Sequence, residues 1–582
     1  MHRSLISAGV GVLALVSSGA IAQQVAVEEI VLDNGMTFLL VPRTEEPNVV
    51  AAGWVAKVGS VNERPGITGI SHFFEHMMFK GTTTVGTNDP ELDADFMARQ
   101  RAVKEKINEL IWSEQYGRYR RGEIDDPWDA VNDTDELKTL RAELRDLMDA
   151  HREIIEKNEF NSIYTNAGAS GLNAFTSNDM TFYFINVPSN KLELWAWMES
   201  DRLSDSVFRE FYAERDVVHE ERRMRLESSP TGELSEQFDA MFWQSSPYSW
   251  SVIGWPTDLN SYSREDFDAY FNIYYRPNNL VGVVVGDFDP AEVKPLIERY
   301  FGRLERGEQD PPPVVTYEVT QLAEKRMRGE CDCQPQVEIR YHTVGFNGAD
   351  EFPLEILSGI LNGRTGRLYK TMVEGAEIAS SAAAYQRSLK YDGYFAFVAE
   401  VKGDATPDML ESAWYAEAER LRAEPVTDVE LQKVKNQVAA DSYRRLQSNS
   451  ALLFQLGMYE AQGGWEYINE APVELMAVTA EDLMRVANTY FDSTNRTVAV
   501  YTRRADSNAE QTPIDALPPE MRGQFEEMLT RLRDRDDPAE MKQIIAGMEG
   551  QLAMVPEEFK PAMAYVIEQL RVRLAELEAG SP

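Results

Sequence analysis

His72-Phe73-Phe74-Glu75-His76 is the stretch from which the rest of the 582-residue chain is read. Its pattern is H-x-x-E-H. On a helix, positions i and i+4 lie one above the other on one face. That spacing lets His72 and His76 offer two imidazoles to a single Zn²⁺, with Glu75 on the same side as a general base for a water held there. The neighbouring sequence predicts the helix. Pro65-Gly66 precedes the motif and Gly81 follows Lys80, the order in which proline opens and glycine closes a helix. Ile70, Phe73, Phe74, Met77 and Met78 give it apolar faces, so it belongs in a core. The chain has six histidines in all. Two of them at i, i+4 around an acid on a buried helix read as a metal site rather than as two satisfied core side chains.

A catalytic zinc site takes a third protein ligand and keeps one position open for water. A carboxylate far along the chain is the expected source. The segment Ala213-Glu214-Arg215-Asp216-Val217-Val218-His219-Glu220-Glu221-Arg222-Arg223 is helical in character and rich in charge. Glu214 and Glu221 are seven apart and share a face. Glu220 turns about 100° away from Glu221, toward solvent. Spacing alone does not choose among Glu214, Glu220 and Glu221. His219 reads as a surface histidine of the same helix.

With these residues in view, the chain resembles the insulinase/pitrilysin family of inverted zincins, in its bacterial, mitochondrial-processing-peptidase-like branch. Three matches carry the resemblance: Gly69-Ile70-Ser71-His72-Phe73-Phe74-Glu75-His76-Met77-Met78-Phe79-Lys80-Gly81-Thr82; Leu172-Asn173-Ala174-Phe175-Thr176 with Tyr183; and Glu214-Arg215-Asp216-Val217-Val218-His219-Glu220-Glu221. It covers nearly all of residues 26–505. The resemblance implies that Glu221 joins His72 and His76 on one Zn²⁺ per chain, that Glu75 is the catalytic residue, and that Glu214 orients a ligand histidine. Asn173 and Ala174 fall on the family's edge strand, where substrate backbone adds as an extra strand. The activity implied is that of a zinc endopeptidase acting on peptides or unfolded polypeptide segments. The other reading is a non-catalytic scaffold or substrate-recognition subunit of a peptidase hetero-oligomer. Members of that kind usually lack part of H-x-x-E-H, and this chain keeps all of it.

Two departures from the family pattern stand out. His76 and Glu221 are 145 residues apart, nearly twice the usual spacing. The excess, about residues 89–166, reads as a helical hairpin. Val103, Ile107, Leu110 and Ile111 stripe one arm, and Leu137, Leu140, Leu144, Leu147, Ile154 and Ile155 the other, with Asp133 as its start signal. Such an insertion reads as a gate on the cleft, a partner surface or a passive excursion. The second departure lies in the C-terminal half. Relatives with a complete site carry an arginine and a tyrosine there that contact the substrate carbonyl. Alignment through Gly366-Arg367-Leu368-Tyr369-Lys370 puts Val373 and Ser380 at those places, with Arg367 and Tyr385 nearby but out of register. Either another electrophile serves, or a dimer with a second family subunit supplies the pair.

The fold class predicted is α+β: two tandem homologous domains, each a mostly antiparallel sheet packed with helices, plus the helical-hairpin insertion and a helical C-terminal tail. Residues 259–284 align without gaps on 475–500, at an offset of 216, which marks an internal repeat. Leu259, Glu265, Asp266, Tyr274, Asn279 and Val284 meet Leu475, Glu481, Asp482, Tyr490, Asn495 and Val500. The divisions are a signal peptide (1–22), a zinc-bearing peptidase domain (23–305), a linker (306–315) containing Asp310-Pro311-Pro312-Pro313, a homologous non-metal domain (316–505) and an acidic helical tail (506–582). Glu28-Glu29-Ile30-Val31-Leu32-Asp33 turns at Asn34-Gly35 into residues 36–41, the strongest short hairpin signal.

Arg3, an apolar run over residues 5–16 and Ala20-Ile21-Ala22 make a cleavable secretory signal, so the mature protein is expected in the periplasm. No later run reaches the ~18 apolar residues of a membrane span, and stable membrane insertion is not expected. A formal charge of −38 argues against nucleic acid and anionic lipid. Peptides are the expected partners. Cys331 and Cys333 make no disulfide framework; a bridge between them would close a very small, strained ring.

Overall fold

The Asn34-Gly35 turn forms, with Gly35 at φ 89°, and joins β1 (Glu28–Val31) antiparallel to β2 (Thr37–Pro42). The computed structural model describes residues 24–504, 512–514, 517–533, 535, 537–552, 555–556 and 559–579. The expected leader, residues 1–22, lies outside them. Strands β3 (Val49–Ala56), β4 (Ser170–Thr176), β5 (Thr181–Pro188) and β6 (Leu280–Gly286) complete a first sheet in the order β1-β2-β6-β3-β5-β4. Only its β2–β6 pair is parallel. β4 is an edge.

The second sheet has β7 (Lys325–Cys331), β8 (Gln336–Thr343), β9 (Ala379–Ser388), β10 (Gly393–Val401) and β11 (Arg496–Arg503), ordered β7-β11-β8-β10-β9. The run β11-β8-β10-β9 repeats the run β6-β3-β5-β4. The fold is α+β, and the repeat has a physical basis at its offset of 216. Helices Arg264–Tyr274 and Ala480–Tyr490 begin with matching capping boxes, Ser263 with Asp266 and Thr479 with Asp482. Asn279 and Asn495 each donate a side-chain hydrogen bond of 2.9 Å to the last carbonyl of those helices, on Tyr274 and Tyr490. The residues that recur are those that start a helix, stop it and launch a central strand.

The first sheet is buried on both faces, which is why its central strands are continuous apolar runs rather than alternating ones. Phe38, Leu40, Ala52 and Trp54 face the core that holds Phe73 and Phe74 of the histidine helix. Leu39, Val41, Ala51 and Val55 face the other way, onto Leu452, Leu453 and Leu456. Those leucines belong to helix Asn449–Gln462, which comes from the second half of the chain. Gly457 permits the close approach: a Cβ there would meet Phe182 at 2.7 Å. This cross-packing makes both halves one compact unit ending at Thr502.

The insertion folds as two long helices, Pro90–Leu110 and Asp135–Arg152. Val103, Ile107, Ile111, Leu137, Leu144 and Leu147 join the same core as the histidine helix. The start signal differs from expectation. Thr134, not Asp133, caps the second helix by accepting from Leu137 N–H; Asp133 is turned toward Arg141. Ile154 and Ile155 lie beyond the helix end, and Ile155 bridges to Thr87.

Cys331 and Cys333 are joined by a disulfide, closing the very small ring that the sequence reading describes as strained. Two residues along a strand advance the chain about 6.6 Å. The bend that begins directly after β7 shortens the Cα–Cα separation to 5.2 Å, inside the usual bridging range.

A second unit begins at Arg503. Its helices Pro519–Arg533, Pro538–Gln551 and Lys560–Ala579 enclose Met541, Ile545, Val566 and Leu570. Met521, Met528, Met548 and Met563 pack on that cluster, so methionine fills much of its small core.

Three buried polar groups tie the insertion to the rest of the first unit. Arg209 binds Asp93 through Nε at 2.9 Å. Its terminal nitrogens donate to the carbonyls of Lys80 and Val85, both at 2.9 Å, and of Thr82. His151 Nε2 meets Asp93 at 2.7 Å. All three side chains are almost fully buried. Asp93→Ala leaves a buried guanidinium uncompensated and is expected to cost about 3–5 kcal/mol, read as a lower urea midpoint.

Candidate active site

The histidine helix spans Ile70–Met77, starting four residues after Pro65-Gly66 and ending four before Gly81. Its cap is Gly69, at φ 86°, which has no side chain to offer. Glu63 supplies the missing acceptor. One carboxylate oxygen takes Gly69 N–H at 2.8 Å and the other Ser71 N–H at 2.9 Å. Phe74 lies flat on Phe267, ring centroids 3.5 Å apart, and Phe73 meets Phe211 edge-on at 4.9 Å. These contacts leave the other side of the helix to His72, Glu75 and His76.

That side faces helix Phe211–Arg222. His76 Nε2 lies 3.2 Å and His72 Nε2 3.5 Å from the same oxygen of Glu221. Among the described residues, His72, His76 and Glu221 are the one group of three such side chains whose donor atoms converge, all within 4.8 Å of one another. Burial, with the charges of His76 and Arg225, pulls His72 down to about 3. It is therefore a neutral imidazole with a lone pair available, the form a metal requires. Two imidazole nitrogens and a carboxylate oxygen fit zinc's donor preferences and leave room for a fourth ligand.

Glu214 sits behind this group. Its carboxylate meets His76 Nδ1 at 3.0 Å and Lys80 Nζ at 2.5 Å. Burial alone would raise Glu214, but the hydrogen bonds and charges of His76 and Lys80 prevail and hold it at about 2. Burial lowers His76, and the bond and charge of Glu214, with Glu221 and Glu75, more than reverse that. The arrangement fixes the tautomer that turns Nε2 toward Glu221. Burial raises Glu75, and the Thr176 hydroxyl donates to it at 2.7 Å.

Glu75, His76, Asn173 and Glu214 line a cavity of about 480 Å³. Asn173 is exposed on edge strand β4, while Ala174 is buried, with its N–H donated to Asn173 Oδ1 at 2.9 Å. Glu220 points to solvent and pairs with Arg223. His219 turns away to Asn260. In the second half, Arg367 is committed to Glu417 and Glu430, and Ser380 is exposed on β9 beside Glu400.

Four residues at the site carry no role in the sequence reading. Lys80 and Arg225 were legible, each at i+4 from His76 and Glu221; Arg225 holds the second oxygen of Glu221 at 2.9 Å. Thr176 closes the stretch that contains Asn173. Glu63 has no local signal, because it reaches the helix from a loop.

The family pattern described as Insulinase (Peptidase family M16) matches residues 39–96, and that described as Peptidase M16 inactive domain matches residues 261–438. "Zinc protease PqqE" of Helicobacter pylori is 26% identical over 479 residues, 81% of this chain and 91% of that protein. These matches support an insulinase-family metallopeptidase. A probable mitochondrial-processing peptidase subunit beta of Arabidopsis thaliana is another relative, 23% identical over 333 residues, 55% of this chain and 62% of that one. Among solved structures, a protease from Helicobacter pylori superposes with a TM-score of 0.66 at 25% identity, over 82% of this chain and 99% of that one. The matched residues 39–96 include Ile70–Met77, the helix of His72, Glu75 and His76.

Glu63→Gln replaces one carboxylate oxygen with an NH₂ that cannot accept from the helix amide. The change is expected to destabilise the protein by about 1–3 kcal/mol and to weaken zinc binding. Urea denaturation and a competitive chelator titration read the two effects.

Proposed function

We propose that this chain is a zinc-dependent endopeptidase that hydrolyses peptides or unfolded polypeptide segments. The observation that carries the reading is the convergence of His72, His76 and Glu221 with Glu75 beside them. Relatives named as zinc proteases support it. His72, His76 and Glu221 would hold one zinc ion. When bound, zinc would supply Lewis acidity to a water and to the substrate carbonyl.

The chain's own residues do the rest. Glu75 takes a proton from the attacking water and delivers it to the leaving amine. Its raised pKa suits a group that must hold that proton between the two steps, and Thr176 keeps the carboxylate turned inward. Glu214 and Lys80 orient His76. The edge of β4 at Asn173 and Ala174 offers a strand for extended substrate backbone.

The reading extends to assembly and location. Arg367 is engaged elsewhere, which supports a dimer in which a second family subunit supplies the arginine and tyrosine; a relative named as a subunit supports it too. The signal-like residues 1–22 support export to the periplasm. Among the described residues no helix is long and apolar enough to cross a membrane. A non-catalytic scaffold would have no use for Glu75 between the donors.

Peptide cleavage and zinc content of the purified protein, alone and with any co-purifying subunit, test the proposal. Glu75→Gln is expected to keep its zinc and to lose cleavage by about 10²–10⁴-fold. Glu221→Ala is expected to lose the metal as well. Cleavage undiminished in Glu75→Gln would sink the assignment.

A further inference from the structure

The second half of the chain holds a cavity of its own. It measures about 760 Å³, within the range of small-molecule sites. Helices Glu351–Leu361, Asn449–Gln462 and Tyr467–Ala477 wall it, with the end of helix Asp428–Arg445 at its rim. No residue lines both this cavity and the one beside Glu75. Helix Asn449–Gln462 serves both halves from two faces. Leu452, Leu453 and Leu456 cover the first sheet, while Gln455, Tyr459 and Gln462, at i, i+4 and i+7, face the cavity.

The walls are largely apolar and aromatic. Ile468, Ala471 and Leu475 lie beside a continuous surface of rings, in which Tyr467 is 4.4 Å from Phe346 and 4.8 Å from Tyr459 between centroids. Two polar side chains reach this surface and find nothing there. Among the described residues, neither the Glu355 carboxyl nor the Tyr459 hydroxyl has a hydrogen-bond or ion-pair partner. Such groups are rare in a folded protein, because each costs its lost hydration unless something answers it. Glu351, one turn before Glu355, accepts Asn347 N–H at 2.6 Å. Arg445 is the one cation of the lining; it is exposed and forms no ion pair with either acid. Burial pushes Glu351 up to about 7 and raises Glu355, which the charge of Arg445 only partly offsets.

We propose that this cavity is a binding site for a small organic cation, an ammonium carried on an apolar body. The charged head meets Glu355 and the faces of Tyr459 and Tyr467, an arrangement in which ring quadrupole and carboxylate attract the same charge. The body lies against Ile468, Ala471 and Leu475. The site stands apart from the zinc donors and does not depend on the peptidase reading.

Three probes that share one apolar body test this: phenylbutylammonium, phenylbutanol and phenylbutanoate. Isothermal titration calorimetry on the purified full chain gives their affinities. The ammonium is expected to bind about tenfold more tightly than the alcohol, the scale of one charge-assisted contact in an aromatic pocket, and the carboxylate more weakly than both. Glu355→Gln keeps the shape of the side chain and removes its charge. It is expected to lower the ammonium-to-alcohol ratio about fivefold and to leave the alcohol bound, which reports an intact cavity. Arg445→Gln removes the one lining cation and is expected to raise the ratio. A damaged fold would not move the two variants in opposite directions. A ratio near one in the unaltered protein overturns the proposal, as do a ratio unchanged in Glu355→Gln, a preference for the carboxylate, or no binding by any of the three.

Discussion

Phe74 lying flat on Phe267 is the contact on which the site depends. An eight-residue helix has too few internal hydrogen bonds to persist in water. Its stability comes from what packs on it. Phe73 and Phe74 lie side by side between His72 and Glu75 in sequence, so their packing sets the rotation of the helix and with it the direction of His72, Glu75 and His76. Phe73 also touches Phe211, the first residue of the helix that carries Glu214 and Glu221. One apolar cluster thus sets the distance between residues 145 positions apart. The hydrophobic effect supplies the energy without direction; ring geometry and the two amides held by Glu63 supply the direction.

Electrostatics then refine what packing positions. Glu75, Glu214 and Glu221 gather within a small, partly buried volume. Lys80 meets Glu214, and Arg225 meets Glu221, so the acids are compensated from the rim rather than from the centre. Arg225 takes one oxygen of Glu221, and His72 and His76 face the other. Lys80 also shares Glu214 with His76, so the carboxylate is held by two partners and cannot swing out of line.

Much of this was legible in the sequence because it is local. H-x-x-E-H, the Asn34-Gly35 turn and the capping residues at an offset of 216 all declare themselves within a few positions. The third donor was different: spacing left Glu214, Glu220 and Glu221 open, and only the resemblance favoured Glu221. Glu63 and Arg209 were invisible, and Thr176 stood in a quoted stretch without a role, since each acts on a partner brought near only by the folded chain. Asp133 was read as the cap from Glu136 three residues on; Thr134 can accept from a helix amide equally well, and backbone direction makes the choice. The state of the two cysteines was open in the sequence for a related reason: the bend that brings them within bridging distance is not written in the residues.

The repeat separates what the fold requires from what the chemistry requires. Both halves keep the capping boxes, the helix-ending asparagine and the strand order of four strands. The H-x-x-E-H helix occurs once. The second half is nevertheless tied to the first, because its helix Asn449–Gln462 covers the sheet face opposite the histidine helix. Removing it would expose Leu39, Val41 and Val55 together. A half without metal donors therefore persists as the back wall of the sheet that carries β4, and so of the surface that a substrate strand would use. Two copies of one unit divide these duties: the first carries the H-x-x-E-H helix, and the second covers its sheet with an apolar contact framed by polar ones, Lys57 with Glu460 and Asn449 with the Val49 carbonyl among them.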